Sequence, residues 1–186
     1  AAIDRGKYKG GVGSASVTLE NGVVVGALAV VNALGLPFVV SDIRGDADRK
    51  RTGLEPGSVR LSDEGASTPR VAAPAAPESQ GLNTTLVVVA TNAVLDKAEC
   101  KRTASAAHAG LARALNPSHT LADGDTVFCL ATGALALDRS TEAARQGSLI
   151  TLQSAAADVV RLAILDGIDR AEAVRTPAGE FGAYGR

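Results

Sequence analysis

Thr84 is the residue whose setting could do the most chemistry. It follows Asn83, at the point where a Pro/Ala/Ser-rich stretch gives way to the apolar run Leu86-Val87-Val88-Val89-Ala90-Thr91. As the opening of a β-branched strand, a threonine here is ordinary. If the peptide bond before it breaks, the same residue carries an α-amine beside its hydroxyl. That amine has a reference pKa of about 8, far below that of lysine, so it can serve its own Oγ as general base at neutral pH. In a folded precursor, Oγ could attack the Asn83 carbonyl in an N-to-O acyl shift. Water would then release residues 1–83 and 84–186 as separate chains. A mobile segment before Asn83 suits this, because the cut end must move away.

Four further groups carry candidate chemistry. Asp123-Gly124-Asp125 places two carboxylates one residue apart, just before a strand. Like charges at close range raise one pKa and provide a proton shuttle, while the same tripeptide is also ordinary turn chemistry. Its spacing lacks the other ligands of a calcium loop. Asn32 ends a long apolar strand. Its NH₂ could donate to a developing oxyanion, or its side chain could bond the next turn. Lys7 and Lys9 flank Tyr8, and each reads as exposed or as a cation near a site. His108 falls near a helix stripe, whereas His119 precedes the acidic pair in a loop. A Ser-His-Asp site has no G-x-S-x-G elbow to support it, and Gly10-Gly11-Val12-Gly13 opens a strand rather than the helix a phosphate loop needs.

The elements that must position these groups follow from pattern. Residues 11–19 alternate small-polar with apolar, Asn21-Gly22 is a hairpin turn, and Val23 to Asn32 reads as an apolar strand buried on both faces. Pro37 to Val40 suggests a short third strand. From Ser41 to Gly81, charge, Gly, Ser and Pro replace the apolar runs, and the reading is a long mobile loop. Leu86 to Thr91 is a strand. Asp96 with Glu99 makes a capping box that starts a helix running to Leu115 and halting at Asn116-Pro117. The helix stripe is Cys100, Ala104, Ala107, Leu111 and Leu115. Asp125 to Thr132 is another strand. A second helix is expected from near Ser148, with Gly167 as its stop and a polar, frayed tail from Arg170. Hairpin, loop, strand, helix, strand, helix gives an α+β layered domain.

Composition bounds the rest. A chain of 186 residues is enough for one domain with a core, and a net charge of −1 implies no basic face for nucleic acid. Arg49-Lys50-Arg51, close to Asp42, Asp46 and Asp48, reads as a solvated loop. Aromatic residues are only 3%, so the core must be built from small and branched side chains. No apolar run reaches the roughly 20 residues of a bilayer span, so no membrane partner is expected. Cys100 and Cys129 have neither CxxC nor metal spacing and read as two thiols in a reducing compartment, hence the cytoplasm.

Four segments, taken in order, resemble a known family. They are Gly10-Gly11-Val12-Gly13-Ser14-Ala15-Ser16, then Val30-Val31-Asn32-Ala33-Leu34-Gly35, then Asn83-Thr84-Thr85 with its Val-rich strand, and His119-Thr120 with Asp123 through Phe128. The combination resembles the L-aminopeptidase D-amidase/D-esterase family of N-terminal-nucleophile hydrolases. It is often called the P1 peptidase family and includes β-aminopeptidases and nylon-oligomer hydrolases. The resemblance runs over nearly the whole chain and is poorest over residues 42–78 and after Gly167.

The resemblance implies cleavage at Asn83–Thr84, with Thr84 as nucleophile and its freed amine as base. Asn32 matches an oxyanion-side asparagine. Asp123 and Asp125 match the polar pair beside the nucleophile, and Lys7 a site lysine of the nylon-oligomer hydrolases. It implies an α/β/β/α-type sandwich, no cofactor or metal, and a homo-oligomer of processed αβ pairs. Substrates would be amides or esters of N-terminal amino acids in small peptides or amino-acid amides. The family's α part is longer than the 83 residues that precede the cut here, so a missing N-terminal segment of a larger domain is also implied. Three other readings stand beside this one: endo-hydrolysis of polyamide oligomers, acyl transfer of the ornithine acetyltransferase type, and a non-catalytic truncated remnant.

Overall fold

The computed structural model describes residues 2–4, 6–38, 83–177 and 179–185. The expected long loop, the Arg49-Lys50-Arg51 run and the last two residues of the expected third strand lie outside these residues. Strand β1 (Ala2–Ile3) pairs antiparallel with β2 (Tyr8–Lys9). The expected hairpin forms as β3 (Val12–Thr18) and β4 (Val24–Val30), in register from Val12 opposite Val30 to Thr18 opposite Val24. Gly22 turns it at φ +81°, a conformation that suits glycine. The short β5 (Leu36–Pro37) follows.

Strand β6 (Leu86–Ala93) lies antiparallel to β4 on the side away from β3. A crossover then runs through helices α1 (Lys97–Ala107) and α2 (Ala109–Ala114) and the two-residue β7 (Leu115–Asn116), which pairs with β5. It delivers β8 (Thr126–Leu135) parallel to β6, a pairing no tight hairpin can make. The central sheet therefore has the order β3-β4-β6-β8. The long helix α3 (Glu142–Asp169) packs across it, and β9 (Val174–Thr176) and β10 (Gly179–Phe181) form a final hairpin.

The sheet carries its helices on one face. Val25, Ala27, Ala29, Val87, Val89 and Val127 point into that core and meet Leu152, Ala156, Val160, Ala163 and Ile164 of α3 and Leu111 of α2. Strand β4 is thus buried on one face, not on both as its unbroken apolar run suggested. Leu28, on its other face, is 50% exposed. By length and composition α3 would suffice to cross a membrane, and in this fold its apolar stripe is spent on the sheet.

The first helix keeps its expected capping box: Asp96 accepts from the Glu99 N–H, and Glu99 accepts from the Asp96 N–H. It breaks at His108 rather than running to Leu115, because the next turn must seat Gly110 directly on α3. A Cβ there would come within 2.4 Å of the Ala157 carbonyl oxygen. Helix α3 begins earlier than expected, at Glu142, where the Thr141 hydroxyl accepts from the Ala144 N–H. It also runs past Gly167. That glycine is a contact rather than a stop: a Cβ on Gly13 would lie 2.1 Å from the Gly167 nitrogen, so helix and strand backbones touch. Beyond Arg170 the described residues pair and pack, with Tyr8 bridging to Gly182 and meeting the Tyr184 ring edge-on at 5.4 Å.

Candidate functional site

Thr84 sits at the N-terminal mouth of β6, one residue before a fully buried Thr85. By strand alternation it belongs to the open face of the sheet with Leu86, while Thr85 joins Val87 on the helix face. Three neighbouring segments fix its position. Its N–H donates to the Asn32 carbonyl oxygen just beyond β4. Its hydroxyl donates to the carbonyl oxygen of Asn83 at 2.6 Å. The same Asn83 oxygen accepts the Gly124 N–H at 2.8 Å. The carbonyl of the candidate scissile bond thus holds two donors, one of them the candidate nucleophile.

The two carboxylates bracket this point through its neighbours. Asp125, with a side chain only 3% exposed, accepts the Thr85 N–H at 2.8 Å and lies 3.4 Å from His119 Nδ1. In return the Thr126 N–H donates to the Thr85 carbonyl oxygen. Asp123 accepts from the Leu34 N–H through one oxygen and from the Thr120 N–H and hydroxyl through the other. It therefore ties the loop after Asn32 to the loop before β8. Asn83 and Asp123 form an isolated parallel bridge, which sets the Asp-Gly-Asp segment alongside the Asn-Thr junction.

Asn32 contributes its main chain to Thr84, and its side-chain oxygen accepts the Ala2 N–H at 2.9 Å. Lys7 lies in the turn between β1 and β2, its ammonium 4.0 Å from an Asp4 oxygen and 4.9 Å from the Tyr8 ring centroid. That turn is joined to the Asn32 loop through the Asp4 N–H, which donates to the Gly35 carbonyl oxygen. The His108 and His119 rings meet at a tilt of 54°, with their centroids 5.0 Å apart. Burial, and then the neighbouring His119, lower the His108 pKa, which favours the neutral ring. Asn83, Thr84, Asn32, Asp123 and Asp125 are thus gathered at one corner of the sheet. Gly124 is the residue that pattern reading passed over. Its contribution is a main-chain N–H, and the only sequence sign of it is a glycine between two carboxylates.

The two cysteines stand apart from this corner, on α1 and β8. Both are half-buried free thiols. Burial and then the neighbouring Cys100 push the Cys129 thiol up to about 12, so it is a packing group rather than a nucleophile.

Comparison with known proteins bears on the family and the fold. The chain is 42% identical to an uncharacterised aminopeptidase of Mycobacterium leprae, covering 97% of this chain and 51% of that protein. It is 41% identical to an uncharacterised aminopeptidase of Mycobacterium tuberculosis, covering 91% and 50%. It thus spans about half the length of the curated relatives it matches. Among solved structures, the fold resembles a β-aminopeptidase of a Burkholderia species, with a TM-score of 0.61 at 21% identity over 99% of this chain and 48% of that one. It also resembles the L-aminopeptidase D-Ala-esterase/amidase of Ochrobactrum anthropi, described as a variant of the Ntn hydrolase fold. That TM-score is 0.58 at 22% identity, over 95% and 46% of the two chains. At such identities these structures speak to the fold, which is α+β. The family description "Peptidase family S58" matches residues 2–181, and the chain belongs to that family.

Proposed function

We propose that this chain carries the reaction centre of an aminopeptidase-type hydrolase of the N-terminal-nucleophile kind. Its nucleophile is Thr84, freed by cleavage of the Asn83–Thr84 bond. The observation that carries this reading is the 2.6 Å hydrogen bond from the Thr84 hydroxyl to the carbonyl oxygen of the bond to be cut. The hydroxyl is thus held against the carbonyl it would attack while the chain is still uncut.

In the processing step Oγ bonds to the Asn83 carbonyl carbon, and the C–N bond to Thr84 breaks. The hydroxyl proton passes to the departing nitrogen, which becomes the free α-amine. Water then hydrolyses the ester. In turnover that amine takes the Oγ proton as Oγ attacks the substrate carbonyl. It returns a proton to the leaving amine, and water releases the acyl group. The Asn32 carbonyl, which holds the Thr84 nitrogen in the uncut chain, keeps the amine in place. Asp125 and Asp123 hold the residue after Thr84 and the Asn32 loop. The proposed substrates are amides or esters of N-terminal amino acids in small peptides, in keeping with the aminopeptidase and esterase/amidase names of the relatives. Assembly into oligomers of processed pairs belongs to the same proposal, as does the placing of the chain among P1-type peptidases.

The test is release of p-nitroaniline from amino-acid anilides by the complete protein. Thr84→Ala should abolish it, and Thr84→Ser, which keeps both hydroxyl and amine, should retain a measurable fraction. Undiminished turnover by Thr84→Ala would refute the assignment.

A further inference from the structure

The Gly124 main chain presents a preorganised donor at the reacting carbonyl, and neither of its carboxylate neighbours makes that contact. The N–H reaches the Asn83 oxygen at 2.8 Å. Both flanking residues are pinned. Asp123 is held by the Thr120 N–H and hydroxyl and by the Leu34 N–H, and Asp125 by the Thr85 N–H. A donor fixed in this way needs no reorganisation as charge develops on the oxygen, which is the condition under which one hydrogen bond contributes most to a rate. The approach also explains the residue type. A Cβ at position 124 would lie 2.9 Å from Thr84 Oγ, so a side chain there would press on the nucleophile.

We propose that the Gly124 N–H is an oxyanion donor for self-cleavage at Asn83–Thr84, and, once residue 83 has left, for the carbonyl of the substrate. The proposal rests on Thr84 as the self-released nucleophile. When Thr84 Oγ bonds to the Asn83 carbon, the carbonyl π pair moves onto oxygen, and the negative charge forms on the atom that Gly124 already contacts. When the tetrahedral carbon collapses, that pair returns, the C–N bond breaks and the Thr84 nitrogen takes the proton. The same Oγ later attacks the substrate from the same place. The substrate oxygen therefore comes to lie where the Asn83 oxygen lay.

The experiment replaces the Asp123–Gly124 amide by an ester in the complete chain, made by semisynthesis. This deletes the N–H while adding no bulk. Processing is followed by intact mass, with circular dichroism as the check on folding. The folded ester variant should split about 100-fold more slowly than the amide parent, and its processed fraction should show a matching loss in kcat. Splitting at the parental rate would overturn the proposal while leaving Thr84 as nucleophile. Slow splitting with unchanged kcat would overturn its substrate half. A parent that never splits would overturn the proposal and the reading beneath it together. A second measurement does not depend on the ester variant. In the uncut Thr84→Ala chain the Gly124 amide should be strongly protected from hydrogen exchange, and exchange at an unprotected rate would overturn the proposal.

Discussion

At the scale of single residues, the proposed chemistry depends on main-chain groups as much as on side chains. Thr84 has its nitrogen on the Asn32 carbonyl and its hydroxyl on the Asn83 carbonyl, and Asp125 secures the residue that follows. Asp125→Ala should therefore slow processing by about 100-fold, the usual cost of a small misplacement at a reacting centre. Asp125→Asn keeps an oxygen for the Thr85 N–H and should recover most of that loss. Single-turnover kinetics of the precursor will tell them apart, and an alanine variant as fast as wild type would remove Asp125 from the account. The strand that Asn83-Thr84 leads into is legible in the sequence, because a Val-rich run after a Pro-rich stretch is a local pattern. Gly124 was not legible, since a main-chain N–H has no residue type and its partner lies some forty positions earlier in the chain.

At the scale of elements, an ion cluster around the buried Glu99 joins the crossover to the long helix. Glu99 is 5% exposed, caps its own helix, and receives two hydrogen bonds from Arg139 at 2.8 Å, with Arg145 beside it. The Arg139 hydrogen bonds lead the causes that lower its pKa from 4.5 to about 2, against the opposing effect of burial. A carboxylate depressed in this way stabilises the fold fully above its unfolded value, and the contribution is lost as pH falls through the folded value. Melting temperature should therefore decline between pH 4.5 and about 2. The free energy at stake is on the order of 2 kcal/mol after allowing for the partly exposed Arg139. Glu99→Gln should flatten that part of the curve, and an unchanged acid slope in the variant would place the effect elsewhere. The cap at Asp96 and Glu99 was readable because its partners are three residues apart. The Arg139 clamp, the role of Gly167 and the pairing of Gly182 with Tyr8 depend on approaches between distant segments. The start of α3 was missed because Glu142 to Gly147 lacks the apolar spacing that marks the rest of the helix.

At the scale of the molecule, the sheet is covered by helices on one face only among the described residues. Val12, Leu28, Phe128 and Leu130 of the open face are each at least half exposed. An apolar face of this kind marks an interaction surface or an aggregation liability. In the 186-residue chain it should bind a hydrophobic dye such as anilinonaphthalene sulfonate, and the double variant Leu28→Ser, Phe128→Ser should reduce that binding severalfold. Dye binding that ignores both substitutions would mean the exposed apolar surface lies elsewhere. Thr84 falls on this same face by alternation.

The most direct test of the central claim is the intact mass of the natively folded, active protein. The account predicts two chains divided between Asn83 and Thr84, the second bearing a free threonine amine, and a single unbroken chain for Thr84→Ala. Sustained hydrolytic turnover by a protein whose Asn83–Thr84 bond is whole would contradict it.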